Sequence, residues 1–260
     1  MFAHTGDPDW LRANGLFVGE GRQVARRLLA SAYHTVAMLL TPSAEAVMRE
    51  AVDALPADRQ PVVDVCSQAE MTALTGYRLH QGCVAIAERA PLPAWTSLAG
   101  ASGLVVALER VRDPDNVGSI ARSASALGAA GVIIGPECAD PLYRKAVRTS
   151  MGALVTMPVV SGEPWPETLA GLAAAGYTLV ATTPDEAAPT IQAVRADLAR
   201  AGRDGRVVLL VGSEGEGLTG EARRAAHVEA RIPMAPGVMD SLNVAVATAV
   251  AIYALREREP

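Results

Sequence analysis

Three short polar segments hold the residue types that could do chemistry in this chain. The first runs Glu109-Arg-Val-Arg-Asp-Pro-Asp-Asn-Val-Gly-Ser-Ile-Ala-Arg and contains Asn116 and Arg122. Its Asp113-Pro-Asp-Asn stretch is turn chemistry, with short polar side chains and a proline that fixes φ. A guanidinium such as that of Arg122 offers a planar fork of donors that takes two phosphate oxygens at once. A solvated arginine following a turn asparagine would explain the same residues with no ligand. The second segment is Gly212-Ser-Glu-Gly-Glu-Gly-Leu-Thr. Its G-x-x-G-x-G spacing is not the dinucleotide fingerprint, and it lacks the Gly-Lys-Ser/Thr ending of a phosphate-binding P-loop. Glu214 and Glu216 argue against a triphosphate cradle and suit a cationic ligand; a plain connecting loop also accounts for them. The third segment runs from Ile232-Pro-Met to Ser241-Leu-Asn-Val. Ser241 is expected to cap the helix that follows. Asn243, a polar amide at the mouth of that apolar helix, needs hydrogen-bond partners.

The elements around these segments alternate strand and helix. Strands are expected at Leu104–Leu108, Gly131–Ile134, Val155–Val160, Tyr177–Ala181, Arg206–Val211 and Val228–Ile232. Helices are expected at Ser119–Leu127, Tyr143–Thr149, Pro166–Ala175, Ala193–Ala201, Glu221–Ala226 and Ser241–Leu255. Apolar strands with no polar alternation predict a mostly parallel sheet covered on both faces. Ligands in such sheets gather beyond the carboxyl ends of the strands. With Ser119 as cap, Ile120, Ala124 and Leu127 face the sheet. Arg122, roughly 200° round from Ile120, then points away from the core and near the helix start. The helix Ser241–Leu255 is apolar on nearly every side, which suits deep burial or a subunit interface.

A stretch with Pro91, Pro93, Gly100 and Gly103 reads as a linker. It divides the chain into a domain at 1–95 and another at 101–260. The first carries its own alternation: a helix at Gly21–Ser31, a strand at Val36–Leu40 and a helix capped by Ser43. A strand at Val62–Val65, a helix at Ser67–Leu74 and a strand at Cys83–Ala87 follow. The expected fold class is α/β throughout.

Composition narrows the function classes. The chain has 260 residues, half of them apolar and 20% charged, enough for a buried core and too apolar for disorder. No apolar run is long enough to span a membrane, and residues 1–10 lack the features of a secretion signal. Cys66, Cys83 and Cys138 are scattered with no Cys-x-x-Cys pair, which argues against disulfides or a thiolate metal site and for a reducing cytoplasm. His4, His34, His80 and His227 are equally dispersed, and none is assigned a catalytic part. The formal charge of −5 opposes general nucleic-acid binding, although a local basic patch around Arg110, Arg112, Arg122, Arg144, Lys145 and Arg148 would still allow it.

Taken in order, D-P-x-N-x-G-x-x-R at 113–122, V-G-S-E-G-x-G-L at 211–218 and I-P-M…S-L-N-V at 232–244 resemble the three motifs of the SpoU (TrmH-like) RNA ribose 2′-O-methyltransferases, of the SPOUT class. The resemblance spans about residues 101 to 260. More weakly, Phe17-Val-Gly-Glu-Gly-Arg-Gln-Val and Leu79-His-Gln-Gly-Cys-Val-Ala resemble a substrate-binding domain of that family, shaped like an RNA-binding ribosomal protein. The chain departs from the pattern at Ala245, where family members often carry serine.

The resemblance implies a C-terminal domain with a trefoil knot, S-adenosylmethionine as cofactor, and RNA as substrate, ribosomal or transfer. It implies a homodimer through the last helix, whereas the expected cytoplasmic location and lack of a metal rest on the scattered cysteines and histidines. It assigns Arg122 to the RNA, with Asn116, Glu214, Ser241 and Asn243 ordering the site. It gives the cofactor to backbone groups of Gly212, Ile232, Met234 and Leu242, with Thr182 and Thr183 near its adenosine. A non-catalytic RNA-binding protein of the same fold is the alternative from another class.

Overall fold

The computed structural model describes residues 1–79, 81–235 and 241–256. In chain order the elements are α1 (Pro8–Ala13), β1 (Leu16–Glu20), α2 (Arg22–Leu29), β2 (Thr35–Leu40), α3 (Pro42–Asp53), β3 (Val62–Val65), α4 (Gln68–Thr75) and β4 (Cys83–Glu88). Then come β5 (Gly103–Leu108), α5 (Pro114–Ala126), β6 (Gly131–Ile134), α6 (Arg144–Thr149), α7 (Ala153–Thr156), β7 (Val159–Ser161) and α8 (Trp165–Ala174). The last are β8 (Thr178–Thr182), α9 (Ile191–Arg200), β9 (Arg206–Val211), α10 (Gly220–Ala225), β10 (Val228–Ala230) and α11 (Val244–Leu255). These residues form two compact units, one of residues 1–91 with 140–156, the other of 92–139 with the chain from 157 on.

The first unit is built on a four-stranded sheet in the order β1-β4-β2-β3, with β4 antiparallel to β1 and β2, and β3 parallel to β2. The two-residue period of a strand sends neighbours to opposite faces. Met38 and Leu40 therefore enter one core with Val24, Leu28 and Met48, while Ala37 and Leu39 enter another with Phe2, Leu11 and Met71. That explains the unbroken apolar runs: both faces are covered. Leu142, Val147 and Val155 complete the first of these cores. The stretch 140–156, sequentially inside the expected second domain, thus packs with the first unit. Sequence order alone carries no sign of which sheet an apolar helix covers.

The second unit has a six-stranded parallel sheet in the order β10-β8-β9-β5-β6-β7. Its central strands are fully buried, with Val105, Val106, Ala107, Val208 and Leu209 showing no exposed surface. α11 packs on α5 and α9. The expected linker is a packed edge of this unit from Pro93 onward. Ser161 N–H donates to the Pro93 carbonyl at 2.7 Å, and the Tyr177 hydroxyl lies 2.7 Å from the carbonyls of both Leu98 and Ala101. Trp95 lies so close to Gly171 that a Cβ there would sit 2.3 Å from its ring.

Other expectations change. The strand expected over Val155–Val160 is a helical turn followed by a three-residue strand. The Ser150 hydroxyl accepts from the N–H groups of Gly152 and Leu154, and Gly152 adopts φ +86°, so a local turn overrides the β-branched pattern. The N-cap position of α3 is Thr41 rather than Ser43, because Pro42 fills the first helical position. α1 and β1 were not expected. Cys83 and Cys138 carry thiols pushed by burial to about 12 and about 11. Among the described residues no helix is long and apolar enough to cross a membrane, and no three His, Cys, Asp or Glu side chains could hold a metal.

Candidate active site

The site is built where the carboxyl ends of β5, β8, β9 and β10 give way to loops. After β5 the chain turns at Asp113, whose carboxylate accepts from the Asp115 N–H at 2.9 Å and caps α5, with Pro114 in the first turn. The helix therefore begins before Ser119, and Ser119 lies inside it. This puts Asn116 in the first turn and Arg122 in the middle. Arg122 is therefore not near the helix start as expected, and lies beyond the reach of its field, which fades within a turn. Its orientation is as expected: Ile120 is fully buried and Arg122 is exposed. No described residue pairs with its guanidinium.

After β9 the chain makes a tight loop over residues 212–218. Gly215 and Gly217 adopt φ of +84° and +67°, and Gly212 abuts Gly217 so closely that a Cβ would lie 2.2 Å from its carbonyl carbon. Only glycine fits these positions. The fold places Glu214 at the tip. Its Oε1 accepts from Asn243 Nδ2 at 2.7 Å, from Val244 N–H at 3.2 Å and from Asn116 Nδ2 at 3.3 Å. Asn243 Nδ2 also donates to Asn116 Oδ1 at 3.0 Å. The three polar segments thus meet in one hydrogen-bonded cluster.

Asn243 does a second task there. Its Oδ1 accepts from the N–H groups of Ala245 and Val246 at 3.0 and 3.3 Å, capping α11. Ser241 is therefore not the cap. It lies two residues before the helix, exposed, and bonds to no described residue.

The sequence model of the SpoU rRNA Methylase family matches residues 103–253, which include all three segments. This chain belongs to that family. It is an RNA methyltransferase by that membership, and its relatives agree. It is 37% identical over 246 residues to an uncharacterized tRNA/rRNA methyltransferase of Mycobacterium bovis, covering 95% of this chain and 82% of that one. It is 34% identical over 193 residues to a 23S rRNA (guanosine-2′-O-)-methyltransferase of Ralstonia nicotianae, covering 72% and 74% of the two chains. Among solved structures, the AdoMet-bound rRNA methyltransferase from Sinorhizobium meliloti superposes with a TM-score of 0.78 at 28% identity, covering 98% and 92%.

In this SpoU chain Thr182, Thr183, Gly212 and Ile232, expected at the cofactor, fall at or just beyond the ends of three adjacent strands, while Met234 lies further along and Leu242 just before α11. Thr182 ends β8 opposite Ala230 of β10, and Ala181 pairs with Leu210 of β9. The Thr182 hydroxyl donates to the Leu210 carbonyl at 3.1 Å, and the Thr183 hydroxyl accepts from Asp185 N–H at 3.2 Å. Both hydroxyls are therefore engaged within the fold. Arg231 is gripped by the β8 loop: its N–H donates to Pro189, its carbonyl accepts from Ile191, and its Nε donates to Ala188. The next residue, Ile232, and likewise Gly212, Met234 and Leu242, have backbone N–H groups with no partner among the described residues. The Ser213 hydroxyl is buried with none. Open backbone donors and an orphaned hydroxyl fit a polar ligand held mainly by main chain. Residues 236–240 of the third segment, and His80, lie outside the described residues.

The expected basic patch is largely neutralised. Arg110 meets Glu216 at 3.3 Å, and Arg112 meets Glu137 and Glu216. In the first unit Arg144 and Arg148 lie 2.7 and 3.8 Å from Glu20. Of the six cations only Arg122 and Lys145 have no carboxylate among the described residues. The hydrogen bond to Arg112 holds the Glu137 carboxyl below its ordinary range, so that pair stays ionised.

Sequence reasoning passed over Glu109 and Thr219. Glu109 is 1% exposed, and its carboxylate accepts from both the N–H and the hydroxyl of Thr219 at 2.8 Å. The available signal was a glutamate directly after the buried run Leu104-Val-Val-Ala-Leu.

Proposed function

We propose that the protein transfers a methyl group to a ribose 2′-hydroxyl of ribosomal RNA, with Arg122 acting at the RNA. The observation that carries this is the Asn116–Glu214–Asn243 cluster, which gathers three distant segments at the first turn of the helix that also carries Arg122, a guanidinium with no partner among the described residues. S-adenosylmethionine is the cofactor, and it supplies a methyl already activated on a sulfonium. The S. meliloti protein was solved with it bound. Main-chain groups at Gly212, Ile232, Met234 and Leu242 hold it, with the Thr182–Thr183 backbone near its adenosine and Ser241 at the rim.

The chain's own task is to present the hydroxyl and ease its proton away. Arg122 is too basic to serve as general base at neutral pH. Its guanidinium clamps the phosphate beside the target and stabilises the alkoxide that develops as the hydroxyl gives up its proton to solvent water. Glu214 joins the three segments, its Oε1 accepting from Asn116, Asn243 and the Val244 N–H. It and the two amides fix the helix starts of α5 and α11 so that Arg122 faces the reacting sugar.

The first unit supplies further RNA contacts and the protein works in the cytoplasm, where its cysteines stay reduced. The second unit carries the trefoil knot that the family resemblance implies. Two copies pair through α11, whose Val246, Val250 and Tyr253 are exposed on one side. A 23S target is favoured because the R. nicotianae relative bears that name.

The test is transfer of labelled methyl to total RNA, followed by mapping of the labelled fragment. Label in a 2′-O-methylated nucleotide of ribosomal RNA supports the proposal. Label confined to transfer RNA replaces the substrate. Absence of both transfer and cofactor binding leaves an RNA-binding protein. Val246→Asp should shift the sedimentation coefficient to that of a monomer if α11 is the dimer face.

A further inference from the structure

Both ends of the glycine-rich loop are held by one residue directly after the neighbouring strand β5. The Glu109 N–H donates to the Val211 carbonyl at 2.9 Å, which fixes the loop's entry. The Glu109 carboxylate takes the N–H and hydroxyl of Thr219 at 2.8 Å, which fixes its exit. A carboxylate that is 1% exposed is costly to hold without such donors. The Thr219 hydroxyl passes the constraint on, accepting from Ala222 N–H at 3.2 Å to cap α10. Arg110 adds a second hold on the same loop, with Nη2 at 3.3 Å from the Gly217 carbonyl and Nη1 at 3.3 Å from Glu216. It does so from φ +57°, a conformation that side chains other than glycine rarely adopt. Its N–H bond to the Pro136 carbonyl at 2.8 Å helps keep it there.

The loop so held carries Gly212 at its entry and Glu214 at its tip. Gly215 and Gly217 give it freedom that these tethers remove. We infer that Glu109 is a positioning residue for methyl transfer: it sets the register of the loop, so that Glu214 meets Asn116 and Asn243 and the Gly212 backbone meets the cofactor. The inference rests on the proposed function for its catalytic readout and not for its structural one.

The experiment compares the full-length wild type with Glu109→Ala, Glu109→Gln and Thr219→Val. All are assayed well below their unfolding transitions, with the folded fraction measured by circular dichroism. The readouts are the Kd for S-adenosylmethionine, kcat at saturating RNA, the Kd for RNA and amide hydrogen exchange at residues 213–219. Glu109→Ala should weaken cofactor binding or kcat by about tenfold to a hundredfold, the value of a hydrogen bond to a buried charge. RNA affinity should change by less than about twofold, because Arg122 is untouched. Exchange at Gly217 and Thr219 should accelerate. Glu109→Gln should restore most of the loss, since an amide can accept from the Thr219 N–H and donate to its hydroxyl. Thr219→Val, which drops the hydroxyl's bond to Glu109 together with its cap on α10, should show a smaller loss of the same kind and carries the test if Glu109→Ala does not fold. Unchanged exchange at 213–219 in whichever variant folds, or cofactor affinity and kcat per folded molecule both at wild-type values, would overturn the inference. A wild type that neither binds cofactor nor transfers methyl sinks the proposed function instead, and loop exchange alone then decides what Glu109 does.

Discussion

Each unit of this molecule contains a polar network that joins residues far apart in sequence, and the two are built on opposite terms. In the first unit the nearly buried Glu20 takes Arg144 at 2.7 Å, Arg148 at 3.8 Å and the Tyr77 hydroxyl at 2.8 Å. Beside it Asp140 takes Arg89 at 2.6 Å and Arg12 at 3.6 Å. Burial works against the charge on Arg144, but the hydrogen bond and charge of Glu20 outweigh it and hold its pKa above the ordinary value. Burial in turn pushes the Tyr77 phenol up. Each cation there has its anion. In the second unit one carboxylate, Glu214, is met by two amides and a backbone N–H, and Arg122 on the same helix as Asn116 is left without a counterion among the described residues. A compensated network holds a fold together. A network that spends neutral groups on its carboxylate leaves a cation uncompensated by it, open to a ligand.

The contrast is sharpest at its two central residues. Arg122→Ala should lower methyl transfer by about 10²–10⁴-fold, the range for a group that stabilises charge developing in the transition state, and should also weaken RNA binding through the lost phosphate contact. Cofactor affinity and thermal midpoint should stay close to wild type. Single-turnover transfer with labelled donor measures the first, and calorimetry the others. Glu20→Ala should do the reverse. It strands Arg144 half-buried and should cost about 1–3 kcal/mol in urea unfolding, between the values for exposed and buried pairs. Transfer per folded molecule should be unchanged. If Glu20→Ala impaired chemistry, or Arg122→Ala impaired only stability, the distinction between the networks would fail.

The same contrast explains what could be read in the sequence. The parallel sheet was legible because its strands are buried on both faces, and β6 and β9 begin and end where the apolar runs do. Asn243 announced its need for partners by standing before twelve residues with no charge. Helix starts were harder. Asp113 and Ser119, Thr41 and Ser43, Ser241 and Asn243 are all good caps by type. The choice fell to Pro114, to Pro42, and to a carboxylate at position 214. β1 was missed because it ends in a charge and contains Gly19, where a Cβ would come within 3.2 Å of Val24. Both features make sense only once α2 and Arg144 are in place. Glu109 was missed for the same reason, since its partner stands 110 residues away. Local pattern shows what must be buried, and not which distant group makes the burial tolerable.

Helix caps bring the comparison down to its smallest scale. Asn243 caps α11 and also reaches Glu214 and Asn116, so its two functions can be separated. Asn243→Ser keeps an oxygen for the Ala245 and Val246 N–H groups and loses the amide donors. It should leave stability within about 0.5 kcal/mol, since serine and asparagine cap equally well. It should cut kcat by about tenfold or more, the value of a hydrogen bond to a charged group. Stopped transfer assays beside urea curves would reveal a loss confined to stability, which would make Asn243 a cap and nothing else.

Ser67 in the first unit is the control. It caps α4 with a reciprocal box: its hydroxyl accepts from Glu70 N–H at 3.2 Å, and its own N–H donates to the Glu70 carboxylate at 2.8 Å. Ser67→Ala should lower stability by about 1 kcal/mol and leave cofactor affinity and transfer alone. The box also has a pH signature. The Ser67 N–H, and after it the hydroxyl, holds the Glu70 pKa below its ordinary value. A group depressed on folding adds stability that is fully present above its unfolded pKa and is lost as the pH falls through its folded one. Because the backbone N–H is the larger cause and survives in Ser67→Ala, that variant should keep most of the acid-side slope, whereas Glu70→Gln should flatten it. Urea unfolding from neutral pH into the acid range separates the two. Equal slopes in wild type and Glu70→Gln would show that the carboxylate does not bind the cap in solution.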